Sequence, residues 1–318
     1  MTLGHQLFSD ELTLLAAQIS DPRLSEIAVR LIQPLRVAVD GRRGVGRGTV
    51  AAALAGAGVS IAAPGAPADA TVYVVAEAVK PEDCAALAAV AAAGRPVLVV
   101  LNKADLSGHC GVADVARVTG APAEPMSALF ALAARNDRLD SGLWAALRQL
   151  AGQPADVSSA EYFVSCEHPV PRQVRERLCA TLDLSGIDRV LDLACHGGTV
   201  AQARTLLDRL SGIDRVVERL AVVGAGVHHR RMSDAVARLE SLAVGDSRID
   251  EFLIRDATVA ARMAAAMAVL DVPNEPSLRR ARRWQANRSA PLGATHGACA
   301  ADIARGSLRA WAATRARP

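Results

Sequence analysis

The sequence predicts an α/β fold, with a parallel sheet flanked by helices in the first half of the chain and an α-helical region in the second. Three observations lead to this prediction. Strand-like apolar runs alternate with helix-like segments between residues 35 and 150. After residue 172 helical periodicity replaces the strand patterns. Hydrophobic side chains make up 51% of the 318 residues but aromatic ones only 3%, which favours closely packed, Ala-rich helices.

Two helices are expected before the sheet. Ser9 and Asp10 can cap a first helix, and Asp21 followed by Pro22 can begin a second, amphipathic one. Pro34 then interrupts the helical pattern. We therefore expect residues 1–34 to form an N-terminal helical segment.

The remaining chain divides at a stretch with three prolines and little periodicity, residues 153–171, which we expect to be a connection. It separates a predicted sheet domain, residues 35–152, from a predicted helical region, residues 172–318. The predicted strands are 35–39, 71–75 and 96–101, and the predicted helices of the sheet domain are 47–56, 81–93, 111–118 and 141–151.

The first predicted strand runs into a glycine-rich loop, V-A-V-D-G-R-R-G-V-G-R-G-T over residues 37–49. A phosphate-binding loop has the pattern G-x-x-x-x-G-K-[ST], in which backbone N–H groups surround the phosphates, the Lys reaches the terminal ones and the hydroxyl binds Mg²⁺. Two glycines here have that spacing, but Arg and Gly occupy the positions of the Lys and the hydroxyl. The predicted phosphate-binding residues are Gly41, Gly44, Gly46, Arg47, Gly48 and Thr49.

A second motif, N-K-A-D, follows the strand predicted at 96–101. An Asp carboxylate can accept hydrogen bonds from two N–H groups on the Watson–Crick edge of guanine, which adenine does not offer, and such charge-assisted pairs discriminate strongly. A strand that ends in N-K-x-D resembles the guanine-recognition element of P-loop GTPases, and this resemblance implies that Asp105 selects guanine. Asn102 is expected to fix the loop and contact the base, and Lys103 to lie along the face of the base.

A third element comes after the next strand-like piece, where Ser127 and Ala128 resemble the S-A element of P-loop GTPases. In that family a backbone N–H of this element reaches the guanine O6, and the resemblance implies the same contact here. The three elements occur in the order found in P-loop GTPases, which the chain resembles. This resemblance implies a GTPase-like fold, with GTP or GDP as the expected ligand.

More specifically, the chain resembles actinobacterial dynamin-like GTPases over residues 20–240. The stretch I-S-D-P-R-L-S-E-I-A-V-R-L-I-Q-P-L-R-V-A-V-D-G-R, residues 19–42, is similar to the helix and strand that begin the sheet in that family. Residues 175–194 and 203–220 resemble helices late in such proteins. The resemblance implies GTP hydrolysis, membrane binding and pairing with a neighbouring dynamin-like chain.

The groups that support hydrolysis are missing from the sequence. GTPases hold Mg²⁺ with the loop Ser/Thr, a switch Thr and, through water, the Asp of D-x-x-G. Gly48 replaces the loop hydroxyl, and Thr49 is displaced by one position. Ala62 stands where the Asp belongs, and the interval after Leu54 is too short for the usual first switch. These losses argue against a Mg²⁺ site, and the sequence identifies no metal ligand or catalytic residue.

Three functions follow from this combination. The first is a weak or non-hydrolysing, guanine-nucleotide-binding pseudoenzyme that acts as partner or regulator of an intact dynamin-like GTPase. The second is an active GTPase completed by its partner. The third is a scaffold on a relic GTPase fold that binds no nucleotide. In the first function, a basic cluster is expected to face acidic or phosphate groups of the partner; it consists of Arg42, Arg43 and Arg47. The alternative is that these residues are only the solvated side chains of a loop.

The location expected for the chain is cytoplasmic, because the six cysteines occur singly and the N-terminus lacks the pattern of a signal peptide. An Arg-rich stretch begins at residue 272. This stretch is expected to be a solvated face whose Arg stems cover an Ala-rich bundle. The alternative is attachment to a membrane surface, a second candidate partner, which would make the chain peripheral to the inner face of the membrane. Only two tryptophans, Trp284 and Trp311, accompany these arginines, which argues against nucleic-acid binding.

Four smaller patterns also carry predictions. The heptapeptide L-S-G-I-D-R-V occurs at 184–190 and again at 210–216, either as a duplicated helix–turn–helix or as two independent helix starts. The sequence H-H-R-R at 228–231 is expected to be a solvated turn; the alternative is a loop or helix start that meets acidic headgroups or a partner's carboxylate. The adjacent residues Cys195 and His196 are not expected to be catalytic, and neither are His296 and Cys299, which lie three positions apart.

Overall fold

A computed structural model describes residues 3–106, 111–273, 275–288 and 293–315. The chain forms two compact units. We call residues 35–220 the sheet unit, and residues 1–34 together with 221–318 the helical unit. In chain order the elements are α1 (Leu3–Ile19), α2 (Pro22–Ile32), β1 (Arg36–Gly41), α3 (Arg47–Gly56), β2 (Ser60–Ile61), β3 (Ala70–Ala76), α4 (Pro81–Ala92), β4 (Val97–Asn102), α5 (Val112–Thr119), β5 (Ala123–Met126), α6 (Ala128–Arg135), α7 (Ser141–Gly152), α8 (Ala160–Ser165), α9 (Arg172–Cys195), α10 (Val200–Ser211), α11 (Ile213–Val223), α12 (Ala225–Ala243), α13 (Ser247–Ile254), α14 (Asp256–Leu270), α15 (Ser277–Asn287) and α16 (Ala294–Arg315).

The sheet has five strands in the order β2-β1-β3-β4-β5, and every neighbouring pair is parallel. The central strand β3, A-T-V-Y-V-V-A, is a nearly continuous apolar run, as expected for a parallel strand covered on both faces. The strand order reverses between β1 and β3. In open α/β sheets, ligands bind at the carboxyl ends of the strands beside such a reversal. The loops after β1 and β4 lie at this edge.

The predicted α/β fold with a parallel sheet is therefore confirmed. The strands agree with the predicted ranges within two residues at each end, but the two-residue strand β2 was not predicted. The predicted connection contains the short helix α8.

The sheet unit extends to residue 220, well beyond the end at 152 expected from the sequence. Buried residues of α9 and α10, including Leu178 and Leu207, share one core with Phe130 of α6 and Leu147 of α7. The apolar faces of α9 and α10 thus complete the sheet unit.

The helical unit joins the two ends of the chain. Phe8 of α1 and Leu24 of α2 pack in one core with Met232, Phe252 and Ala261 from helices after residue 220. The rings of Phe8 and Phe252 are 5.8 Å apart between centroids. In the described residues, no helix combines the length and the apolar character needed to cross a bilayer.

The two copies of the repeated heptapeptide have different conformations. The first copy lies inside α9, just after a kink at Asp183. The second copy spans the end of α10 and the start of α11, with Gly212 in the left-handed conformation between them. The copies therefore do not form a duplicated helix–turn–helix.

Candidate functional site

The loop between β1 and α3 depends on a glycine in the left-handed conformation. Gly46 has φ 86° and ψ 30° immediately before the first residue of α3. Its carbonyl accepts the Val50 N–H at 2.9 Å, which begins the helix. A Cβ atom at Gly46 would lie 2.5 Å from Nδ2 of Asn102, so only glycine fits. The close approach of these two residues brings the loop against the end of β4.

Asn102 joins three segments through its side-chain amide. Nδ2 donates to the Val45 carbonyl at 2.9 Å, and Oδ1 accepts the Ala128 N–H at 3.1 Å. The residue is only 3% exposed, so both bonds are shielded from water. The glycine-rich loop, the N-K-A-D loop and the start of α6 are thus held in one arrangement, and the predicted role of Asn102 in fixing the loop agrees with this geometry.

The S-A element is held from a second side. The Ser127 N–H donates to the Ser211 carbonyl at 2.9 Å, and the Ala104 N–H donates to the Met126 carbonyl at 3.2 Å. The backbone N–H groups of Ser127 and Ala128 therefore already donate within the protein. A contact from either group to a guanine O6 would require its present bond to be shared or replaced. Ser211, in the second heptapeptide copy, was not predicted to lie here.

A cavity of about 120 Å³ lies between these segments. It brings together seven of the residues predicted from the sequence, from all three motifs. It also contains Asp183, at the kink of α9, which no sequence pattern pointed to. The lining residues are Gly46, Thr49, Asn102, Lys103, Asp105, Leu106, Ser127, Ala128, Leu129 and Asp183.

Arg47 and Gly48 line a different cavity, of about 690 Å³, together with Asp40, Ala62 and Gly65. The Arg47 guanidinium lies 3.7 Å from the Asp40 carboxylate. Ala62, the residue compared with the Asp of D-x-x-G, therefore borders the glycine-rich loop. The two remaining predicted loop residues, Gly41 and Gly44, line neither of these cavities.

The Arg42 side chain forms an ion pair within the sheet unit. Its Nε donates to the Asp83 carboxylate, whose side chain is 0% exposed, and the hydrogen bond raises the pKa of Arg42. Tyr73 donates to the same carboxylate at 3.0 Å, and burial followed by this bond raises the pKa of Tyr73 to about 12. The Arg42 guanidinium is therefore paired within the protein, which argues against its facing a partner's groups, whereas Arg43 is exposed.

The expected solvated turn at 228–231 is also wrong. His228 and His229 are buried in α12. Nδ1 of His229 lies 3.5 Å from the Cys299 thiol, and its Nε2 lies 3.3 Å from the Asp302 carboxylate. Asp302 also accepts from Arg262 at 2.7 Å.

The burial of this cluster argues against a role in nucleophilic catalysis. Burial raises the pKa of the Cys299 thiol to about 12, so the thiolate that nucleophilic catalysis requires is disfavoured. The His5 ring lies 4.6 Å from the His228 ring, and burial, followed by the charge of His228, lowers the pKa of His5 to about 4. A Cys–His–Asp row is present, but it is sealed inside the helical unit.

The adjacent Cys195 and His196 and the Arg-rich stretch are ordinary helix features. Cys195 and His196 lie at the exposed end of α9, where His196 Nδ1 donates to the Asp192 carbonyl at 2.6 Å. In the Arg-rich stretch, Arg280 is buried and donates to the Ser307 hydroxyl at 2.8 Å, and Trp284 is buried in the core beside α16.

Within the described part of the chain, no group of three or more His, Cys, Asp or Glu side chains is placed to hold a metal ion. Comparison with known protein families, curated proteins and solved structures finds no match. The fold defines this chain as an α/β protein with a five-stranded parallel sheet, and a cavity lined by loops and helix residues lies at the carboxyl edge of that sheet.

Proposed function

We propose that the chain binds a guanine nucleotide at this edge, hydrolyses it weakly or not at all, and acts as partner or regulator of an intact dynamin-like GTPase. The observation that carries the proposal is the pair of hydrogen bonds made by Asn102 to Val45 and Ala128. Three motifs that are separate in sequence meet at one amide side chain, which supports a common ligand for all three.

The base end of the site has the chemistry for guanine. Asp105 is half-buried on the cavity wall and offers two acceptor oxygens for the two N–H donors of the guanine edge. Gly46 and Thr49, at the start of α3, line the same cavity. Phosphates placed there would meet the positive end of the α3 dipole.

Weak hydrolysis follows from the side chains at the phosphate end. Gly48 offers no hydroxyl to Mg²⁺, and Ala62 offers no carboxylate. Arg47 approaches Asp40 in the larger cavity instead of lining the smaller one. Binding without efficient turnover is therefore the expected behaviour of the isolated chain.

Calorimetry with GDP and GTP, each with and without Mg²⁺, tests the binding. Replacing Asp105 by Asn exchanges one acceptor for a donor, so guanine affinity should fall by about tenfold to a hundredfold. Asp114→Asn is the matched control, since Asp114 is an exposed residue of α5 paired only with Arg117 in the described structure. Equal affinity of wild type and Asp105→Asn for GDP would contradict the proposal, as would equal binding of GDP and ADP.

The partner is tested by light scattering and phosphate release, with a dynamin-like GTPase whose phosphate loop is intact. We expect a joint complex and a changed turnover rate. Arg43→Glu should weaken the complex, because Arg43 is exposed on the loop. Two proteins that elute separately in every nucleotide state, with unchanged phosphate release, would exclude this part of the proposal.

A second candidate function is a scaffold that binds no nucleotide. The size of the cavity favours it, since about 120 Å³ is below the roughly 300–1,000 Å³ typical of ligand pockets. The occupied N–H groups of Ser127 and Ala128 favour it as well. Absence of binding heat with GDP and GTP at high micromolar concentration would select this function over the first.

A further inference from the structure

We infer that Asp183 is a specificity residue of the proposed nucleotide site and accepts a hydrogen bond from a ribose hydroxyl group. The inference rests on the proposed function and names the sugar as well as the base of the ligand. Asp183 lies on the wall of the 120 Å³ cavity together with Lys103 and Asp105. It comes from α9, outside the three motifs.

The backbone of Asp183 is strained. Its φ of 58° and ψ of 172° lie close to a region that is essentially restricted to glycine, and the residue interrupts an otherwise helical segment. Leu182 and Ile187, on either side, are fully buried and hold the kink in place. Lys103, on the same cavity, also has a positive φ of 58°. Backbone strain in a non-glycine residue is retained only where the surrounding structure imposes it, and such residues are found preferentially at ligand and active sites.

The carboxylate of Asp183 has acceptor capacity to spare. Oδ1 accepts the Leu184 N–H at 2.8 Å. Within the described residues, Oδ2 makes no hydrogen bond or ion pair, and the side chain is half-buried. A ligand group that meets this oxygen must be a donor, since an ionised carboxylate only accepts.

The donors of a guanine nucleotide limit the choice. In the proposed function Asp105 takes the two N–H groups of the guanine edge, and the anionic phosphates would be repelled by Asp183. The ribose hydroxyls are the donors that remain. An acidic side chain that receives a ribose hydroxyl is an established means of nucleotide recognition in doubly wound folds. The chemistry therefore points to a ribonucleotide.

The test compares GDP with 2′,3′-dideoxy-GDP in wild type and in Asp183→Gly, by calorimetry. Wild type should bind GDP about tenfold more tightly than 2′,3′-dideoxy-GDP, as expected for the loss of one charge-assisted hydrogen bond. Asp183→Gly should lose this difference by weakening GDP binding alone. Because glycine adopts these backbone angles readily, the Tm of this variant should be unchanged or higher. Asp188→Ala, an exposed position on the same helix, should retain the tenfold difference.

The possible results separate the two proposals. Equal binding of both nucleotides by wild type, or a retained difference in Asp183→Gly, would overturn the role of Asp183 and leave guanine binding intact. A lowered Tm with equal weakening of both nucleotides would show a purely structural role and would also overturn it. If wild type binds neither nucleotide, the proposed function fails and the inference fails with it.

Discussion

Arg42 and Asp83 form a partly buried ion pair in which Nε of the guanidinium lies 2.9 Å and 3.0 Å from the two carboxylate oxygens. The same carboxylate accepts the Lys80 N–H at 2.9 Å and the Tyr73 hydroxyl at 3.0 Å. The pair connects the glycine-rich loop after β1 to the first turn of α4. The path of the loop is therefore fixed from the side of α4 as well as by Asn102.

Removal of the guanidinium should destabilise the sheet unit. In Arg42→Ala the Asp83 carboxylate stays buried without its cation, which we expect to cost about 2–3 kcal/mol in the free energy of unfolding. Arg43→Ala removes the same group from the adjacent exposed position and should change stability by less than about 0.5 kcal/mol. Urea unfolding followed by circular dichroism measures both. Similar losses for the two variants would show that the ion pair is not stabilising.

Gly46 and Gly44 provide a matched comparison within the loop. Both have nearly the same φ, 86° and 85°, but a Cβ would meet Asn102 at Gly46 and would meet nothing within 4 Å at Gly44. Gly44→Ala should cost about 1–2 kcal/mol for the left-handed backbone alone. Gly46→Ala should cost roughly 1 kcal/mol more, because the amide of Asn102 must give up a hydrogen bond.

Chemical unfolding and GDP binding measure this difference. Only Gly46→Ala is expected to weaken nucleotide binding, since it alone displaces Asn102. An equal loss of stability in both variants would mean that the contact between Gly46 and Asn102 does not constrain the loop.

Acid should destabilise the helical unit through His5. Its pKa falls from 6.5 to about 4 on folding, mainly because burial disfavours the charged ring. The unfolded chain therefore takes up a proton that the folded chain does not. The free energy of unfolding is therefore unaffected by His5 above pH 6.5. As the pH falls from 6.5 toward 4, it decreases by about 3 kcal/mol.

Unfolding free energies at several values between pH 7.5 and pH 4 test this dependence. His5→Gln should show a shallower decline than wild type, whereas the exposed His196→Gln should decline as wild type does. The same slope in His5→Gln and wild type would remove His5 as the cause.

The cysteines should differ in reactivity according to burial. Cys195 is exposed, whereas Cys299 is buried with its pKa raised to about 12. Alkylation at pH 8 reacts with the thiolate, so Cys195 should be modified in the folded protein and Cys299 only after unfolding. Peptide mass spectrometry resolves the two sites. Comparable modification of both in the folded state would show that the Cys–His–Asp row is accessible.

The sequence predicted the features that depend on local pattern. The apolar run of β3 and the glycines after β1 are visible in the sequence because their periodicity and residue types are direct consequences of backbone geometry. The residues that line the smaller cavity from the three motifs were predicted for the same reason. Each motif has its own short spacing, and parallel strands bring their carboxyl ends to one edge.

Features that depend on distant contacts were not predictable. Asp183 reaches the cavity because α9 packs on α6, and no residue near Asp183 in the sequence signals that contact. His228 and His229 were expected in solvent because the H-H-R-R sequence was interpreted as a turn. In the structure His5 lies against the first and Cys299 against the second, so both sides of α12 are covered by segments far away in sequence.

The repeated heptapeptide shows how little seven residues determine by themselves. In the first copy Gly186 lies inside a helix, where a Cβ would meet the Phe130 ring at 2.7 Å. In the second copy Gly212 ends a helix with φ 72°, where a Cβ would meet the Pro125 carbonyl at 2.6 Å. Identical peptides of the two copies would be indistinguishable in solution. The heptapeptide is thus a chameleon sequence: the same seven residues lie within one helix in the first copy and across a helix end in the second, each packed against a different neighbour.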